Sequence, residues 1–268
     1  MKFKLLLSLF TTGLLLSTAL TFNACKKEED QPAPSVALTA TTFSGKIGAT
    51  ASVTATVTAP AGLKSLKITK YKGTDVDATF GTAGTQTVTT LSHTQTYVLA
   101  AEGLTTPIRF KFEAEDTKGK TASNDFIITT EPSVSYLLTT YNWQWKSKLG
   151  KCLASDPETE QIFDCEKDNV FSFKSDGTFT LDYGAITGGT GSCQFDGFRA
   201  PTTWTLNADE TELTIKQVSV FDPNDVLTEV YKITSATTSA IKSKQTVDLT
   251  VFGCIIYDWG FEWTAKPK

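Results

Sequence analysis

The chain has one histidine, His93, and one methionine, Met1, in 268 residues. With a single imidazole, a histidine-rich metal site is excluded, and a Ser-His or Cys-His catalytic pair would have to rest on His93 alone. His93 sits among Ser92 and Thr94 near Leu91, with no carboxylate beside it, and reads as a loop residue. Apolar runs with a 3.6-residue period are missing, so a helical fold is not expected. There is no basic stripe and the formal net charge is −4, which argues against nucleic-acid binding. No P-loop is present either. The Gly-rich stretch 184–191 has neither a Lys at the required spacing nor a following helix signal.

What is abundant is Thr, Ser, Val, Ile and the aromatics, in short alternating runs. That is an all-β composition, with length for two domains.

The chain opens with Lys2 and Lys4, followed by an apolar run from Leu5 to Leu20. The run is too short and too early for a good spanning helix and reads as an export signal. Ala24-Cys25 follows. A small residue before a Cys at this place resembles the lipobox of bacterial lipoproteins, although Phe22 and Asn23 depart from its usual residues. The resemblance implies cleavage before Cys25 and acylation of its thiol. Removing Lys2 and Lys4 from a chain of charge −4 leaves a mature protein of −6. Several acyl chains would hold it on a membrane without a spanning helix. Lys26-Lys27-Glu28-Glu29-Asp30 resembles the surface-export signal of Bacteroidetes lipoproteins. Gln31-Pro32-Ala33-Pro34 continues it, so residues 25–34 form an extended tether. The expected location is the outer membrane, exposed at the surface.

Residues 35–131 contain six runs of β-formers: Val36 to Thr41, Ala51 to Ala59, Lys64 to Tyr71, Gln95 to Ala101, Ile108 to Glu115 and Ala122 to Thr129. Asp116-Thr117-Lys118-Gly119-Lys120 joins the last two as a hairpin turn. The Thr- and Gly-rich stretch from Gly73 to Ser92 reads as an edge strand with long loops. The pattern suggests a β-sandwich. Arg109 to Ser123 resembles the closing hairpin of bacterial immunoglobulin-like domains. No Cys pair or core Trp supports an antibody-type domain. Glu113 and Glu115 share a strand face and read as solvated.

Residues 133–268 begin with a short helical turn, Val134 to Thr140. Eight strands follow: Tyr141 to Lys148, Asn169 to Lys174, Thr178 to Tyr183, Thr203 to Leu206, Glu212 to Val220, Leu227 to Ile233, Ala240 to Thr250 and Ile255 to Ala265. Joined in sequence, they predict an up-and-down barrel. Leu137-Leu138 with Trp143, the run Asp168 to Phe179, Trp204 to Ile215 and Tyr231-Lys232-Ile233 resemble the lipocalin-like domain of Bacteroidetes lipoproteins. Tyr141 replaces the Gly that lipocalins tend to have before the first-strand Trp. The resemblance implies a calycin barrel, a fold that often holds a small apolar molecule.

Period-2 alternation places Trp143, Phe171, Phe173, Phe179, Tyr183, Tyr257, Trp259, Phe261 and Trp263 on inward faces. They either fill the barrel or line a cavity for an apolar or aromatic ligand. Cys152, Cys165, Cys193 and Cys254 are an even set in an exported chain, where disulfides are the default. Strand counting puts all four on the rim that carries the long loops, and neighbouring strands predict Cys152–Cys254 and Cys165–Cys193. The same counting puts the short turns at the end where the chain enters the barrel. No metal, cofactor or catalytic residue is expected; the acidic residues Asp156 to Asp168 match no calcium loop. The function expected is binding of a small apolar or aromatic ligand without catalysis. The alternative is an accessory or structural protein of a surface nutrient-uptake or glycan-binding complex, contacting partners through rim loops.

Overall fold

A computed structural model describes residues 30–186, 193 and 196–268. Cys25 and the export signal lie outside the described residues, as does most of the Gly-rich stretch.

The first half contains β1 (Ser35–Leu38), β2 (Thr42–Lys46), β3 (Thr50–Thr58), β4 (Leu63–Lys72), β5 (Asp75–Val76), β6 (Thr85–Val88), β7 (Ser92–Val98), β8 (Ile108–Asp116) and β9 (Thr121–Glu131). One sheet has the order β1-β3-β7; the other has the order β2-β9-β8-β4-β5, with β6 also on β4. Alternate residues of β3 (Ala51, Val53, Ala55, Val57) meet Leu66, Ile68, Phe110, Phe112 and Phe126 of the second sheet in one core. This is the half-buried pattern expected of antiparallel strands. The hairpin at 116–120 is fixed by Asp116, whose carboxylate accepts the backbone N–H groups of Lys118 and Lys120, both at 2.9 Å.

Three features depart from the sequence reading. The run expected at Val36 to Thr41 ends at Leu38, and a separate strand, β2, pairs in parallel with β9. Residues Ala101–Leu104 form a 3-10 turn instead of ending a strand. His93 lies within β7, opposite Ala55, and not in a loop. Glu113 and Glu115 lie among lysines: Glu113 pairs with Lys67 at 3.3 Å and Lys111 at 2.8 Å, and Glu115 with Lys64 at 2.7 Å.

The second half starts with α1 (Val134–Thr140). It continues through β10 (Asn142–Gly150), β11 (Thr159–Glu160), α2 (Asp164–Lys167), β12 (Val170–Phe173), β13 (Phe179–Asp182), β14 (Arg199–Leu206), β15 (Glu212–Ser219), β16 (Val226–Ala236), β17 (Ala240–Asp248) and β18 (Ile256–Lys266). The sheet runs β13-β12-β10-β18-β17-β16-β15-β14, so every expected strand is present in meander order. It is a nearly closed eight-stranded antiparallel barrel. The seam between β13 and β14 is held by one bridge, Thr178 to Thr203. The Trp204 N–H also donates to the Gly177 carbonyl there at 2.8 Å. Towards the long-loop rim the two strands part.

The short-turn end is closed by α1. Val134, Leu137 and Leu138 enter the barrel core beside Trp143, whose indole N–H donates to the Leu137 carbonyl at 3.3 Å. The helix N-terminus is capped twice: Ser133 Oγ accepts from the Tyr136 N–H at 3.1 Å. Glu210, in the β14–β15 turn, accepts from Val134 and Ser135 N–H at 2.7 and 3.1 Å. Both satisfy donors that a helix start leaves unpaired. Glu210 also approaches Lys46 of the first half at 3.7 Å, so the short-turn end is the one that meets β2.

Candidate functional site

The barrel interior divides into a packed half and an open half. Next to α1, Trp143, Phe173, Phe179, Trp204, Tyr231, Ile241 and Trp263 are buried in a continuous cluster. Their rings meet edge to face or stacked, as for Phe173 with Trp204 at 5.6 Å and Tyr231 with Trp263 at 5.4 Å. Trp263 Nε1 donates to Ser243 Oγ at 2.9 Å, so the one polar atom of this ring is satisfied inside the core.

Four of the nine expected lining residues therefore do not line a cavity. Trp143, Phe173, Phe179 and Trp263 are core, because α1 rises into this end and leaves no space beside them. A fifth, Tyr257, sits at the rim. Its hydroxyl donates to Glu158, and Lys151 Nζ lies 4.7 Å above its ring.

The open half begins one layer of side chains higher. A cavity of about 420 Å³ is lined by Trp145, Phe171, Leu181, Tyr183, Gln217, Leu227 and Glu229, with Arg199, Phe198 and Phe221 at its mouth. A second, of about 390 Å³, shares Trp145 and Glu229 and adds Lys148, Gln245, Trp259 and Phe261. Phe171, Tyr183, Trp259 and Phe261 are thus the expected residues that do face the space, although Phe171 and Phe261 are themselves mostly covered. The first cavity lies along the seam where β13 and β14 part, and Tyr183 spans that gap by donating to the Arg199 carbonyl at 3.2 Å. Trp259 lies flat across the β10 backbone. A Cβ on Gly150 would come within 2.6 Å of its indole, so the missing side chain at 150 is what lets the ring fold in.

Polar residues in the open half were not singled out from sequence. Glu229 is half-buried and accepts from Gln245 Nε2 at 3.3 Å, Gln217 Nε2 at 3.4 Å and Tyr231 OH at 3.4 Å. Burial pushes its carboxyl above the usual range, against these donors and the more distant charge of Lys148. Burial, and then the charge of Glu229, drives the Tyr231 phenol well up. Lys148 projects between the indoles of Trp145 and Trp259, 5.6 and 5.5 Å from their centres, and pairs with the buried Glu166 at 3.0 Å. A signal for these residues existed. Glu229 has the parity of Leu227, Tyr231 and Ile233; Gln217 has that of Leu213 and Ile215; Gln245 has that of Ile241 and Ser243. A polar residue on an inward parity is the mark of a wet interior.

Two disulfides hold the rim. Cys152 is bonded to Cys254 with Cα atoms 4.5 Å apart, and Cys165 to Cys193 at 5.9 Å. The first ties the loop after β10 to the turn before β18. The second ties α2 to the loop between β13 and β14. Among the described residues no group of His, Cys, Asp and Glu is arranged to hold a metal ion. Comparison with models of known protein families gives no match, and comparison with curated proteins gives none. The site must be read from its own geometry.

Proposed function

We propose that this is an exported, lipid-anchored binding protein that holds a small molecule in the open half of its barrel without transforming it. The observation that carries the reading is the division of the interior. One half is packed to exclusion, while the other keeps an aromatic-walled space of a size that small ligands fill, under a rim fixed by two disulfides. The polar floor at Glu229, Gln217 and Gln245 revises the expected purely apolar ligand to one with a polar end. The barrel's meander order supports its likeness to lipocalin-like domains. In the first half, a β1-β3-β7 sheet facing a β2-β9-β8-β4-β5 sheet, with β2 parallel to β9, supports the immunoglobulin-like reading. That half would act as a stalk, with the stapled rim directed away from the membrane.

A second reading has its own observation. Phe221, Phe252 and Val251 are 75%, 78% and 85% exposed on the same rim, which suits contact with a partner protein or glycan of a surface uptake complex.

Native mass spectrometry of protein released from its own host's membranes tests both the anchor and the binding role. The expected species begins at an acylated Cys25 and carries a non-covalent small molecule that is lost on denaturation. An unacylated chain would refute the anchor, and a bare polypeptide under gentle conditions would favour the rim as the working surface.

A further inference from the structure

Several charged groups around the open half have close partners. Lys148 is neutralised by Glu166 at 3.0 Å. Arg199 is neutralised by Asp225, whose two carboxylate oxygens lie 3.1 and 3.0 Å from Nη2. Asp248, at the edge, accepts from the Thr250 backbone and hydroxyl. Glu229 faces both cavities and, among the described residues, forms no ion pair. Its partners are two amides and a phenol at 3.3 to 3.4 Å, long for hydrogen bonds to a carboxylate. A half-buried carboxylate whose direct partners are weak neutral donors, with Lys148 acting only from farther off, is incompletely compensated.

The walls beside it are aromatic. Trp145, Phe171 and Tyr183 line the larger cavity with Glu229, and Leu181 and Leu227 complete an apolar flank. A carboxylate at the floor of an aromatic enclosure suits a cation on an apolar body, because ring faces and the carboxylate attract the same positive charge.

We propose that the chamber takes a small organic amine, its ammonium group paired with Glu229 and its apolar body against the aromatic wall. This rests on the reading of the barrel as a ligand-binding site. Lys148 does not oppose the pairing, since Glu166 holds its charge. An anionic ligand would meet Glu229 directly and is disfavoured; a neutral one would leave the carboxylate uncompensated. The pairing needs Glu229 ionised, and burial raises its pKa. Affinity for an amine should therefore fall as pH drops through the acid range, while that for a neutral analogue should not. Tyr183, which lines the chamber, and Tyr231, a core residue whose hydroxyl reaches Glu229, are both shifted upward and stay neutral throughout.

The test is calorimetric titration of the disulfide-intact protein with 2-phenylethylamine, 2-phenylethanol and 3-phenylpropionate, three probes of similar shape and different charge. At neutral pH the amine is expected to bind at least tenfold more tightly than the alcohol, and the carboxylate most weakly. Glu229→Gln should abolish the preference for the amine while leaving alcohol binding and the thermal transition in place. Equal binding of amine and alcohol, or a preference that survives Glu229→Gln, would overturn the amine assignment and leave the binding site standing. Failure of all three to bind at millimolar concentration would overturn both.

Discussion

Single charged residues in this protein are tuned in opposite directions by their surroundings. Glu229 is pushed up by burial without a counter-ion. In the first half, Lys70 and Asp77 are nearly buried and 2.8 Å apart, and Lys70 also reaches Glu102 at 3.1 Å. Lys72 pairs with Glu102 at 2.6 Å and the Tyr97 hydroxyl donates to it at 2.8 Å. The hydrogen bond from Lys72 holds Glu102 down at about 2, and that from Lys70 lowers Asp77 further. Depressed carboxylates stabilise the fold above their unfolded pKa values, here 3.8 and 4.5. That stability is lost as pH falls through the folded values. Urea unfolding followed from pH 7 to pH 2 should show the first half weakening below about pH 4.5. Asp77→Asn should cost about 3 kcal/mol at pH 7, because it leaves Lys70 under-compensated, and the cost should shrink as the medium becomes acid. A cost unchanged between pH 7 and pH 2 would show that packing, not charge, is what Asp77 supplies. None of this cluster is visible in sequence. Asp77 and Glu102 lie in the Thr- and Gly-rich stretch and in a short turn, and only the fold brings them to Lys70.

At the level of elements, the two ends of one strand do different work. β18 carries Trp263 into the packed half and Trp259 into the open half. Trp263 is 2% exposed, so Trp263→Ala should destabilise by about 3 to 5 kcal/mol. Trp259→Ala removes a ring that already borders space and should cost less than half as much in the same denaturant series. Equal costs would mean that the barrel is filled to the rim. The strands themselves were legible because alternation of apolar and polar residues fixes both element and face. Aromatic parity along β10, β12, β13 and β18 marked residues that lie in the core or border the cavities, except Tyr257, which sits at the rim. Depth along the barrel is a different quantity. It depends on how far α1 rises and where β13 leaves β14, neither of which has a local signal. That is why Trp143, Phe173, Phe179 and Trp263 could not be told from Trp259. Short elements escaped for a related reason: β2 (Thr42–Lys46) includes Gly45, and β5 and β11 have two residues each, too few to show a period. The cysteine pairing was legible because it needs only the order of neighbouring strands.

For the whole molecule, closure is asymmetric. The short-turn end is sealed by α1 and clamped by Glu210, which both caps the helix and approaches Lys46. The far rim is open, stapled by two disulfides and edged with exposed Phe and Val. Such a barrel keeps its shape at the stapled rim without filling it, which is what a binding site needs and a purely structural domain does not. The measurement that tests this most directly is a fluorescence titration with N-phenyl-1-naphthylamine, a neutral apolar dye. Wild-type protein is compared with Leu227→Trp, which places a large ring inside the larger cavity. The account predicts saturable one-site enhancement in the wild type and its loss in Leu227→Trp, with the fold retained by circular dichroism. Absence of saturable binding in the wild type, or equal binding by the filled variant, would contradict it.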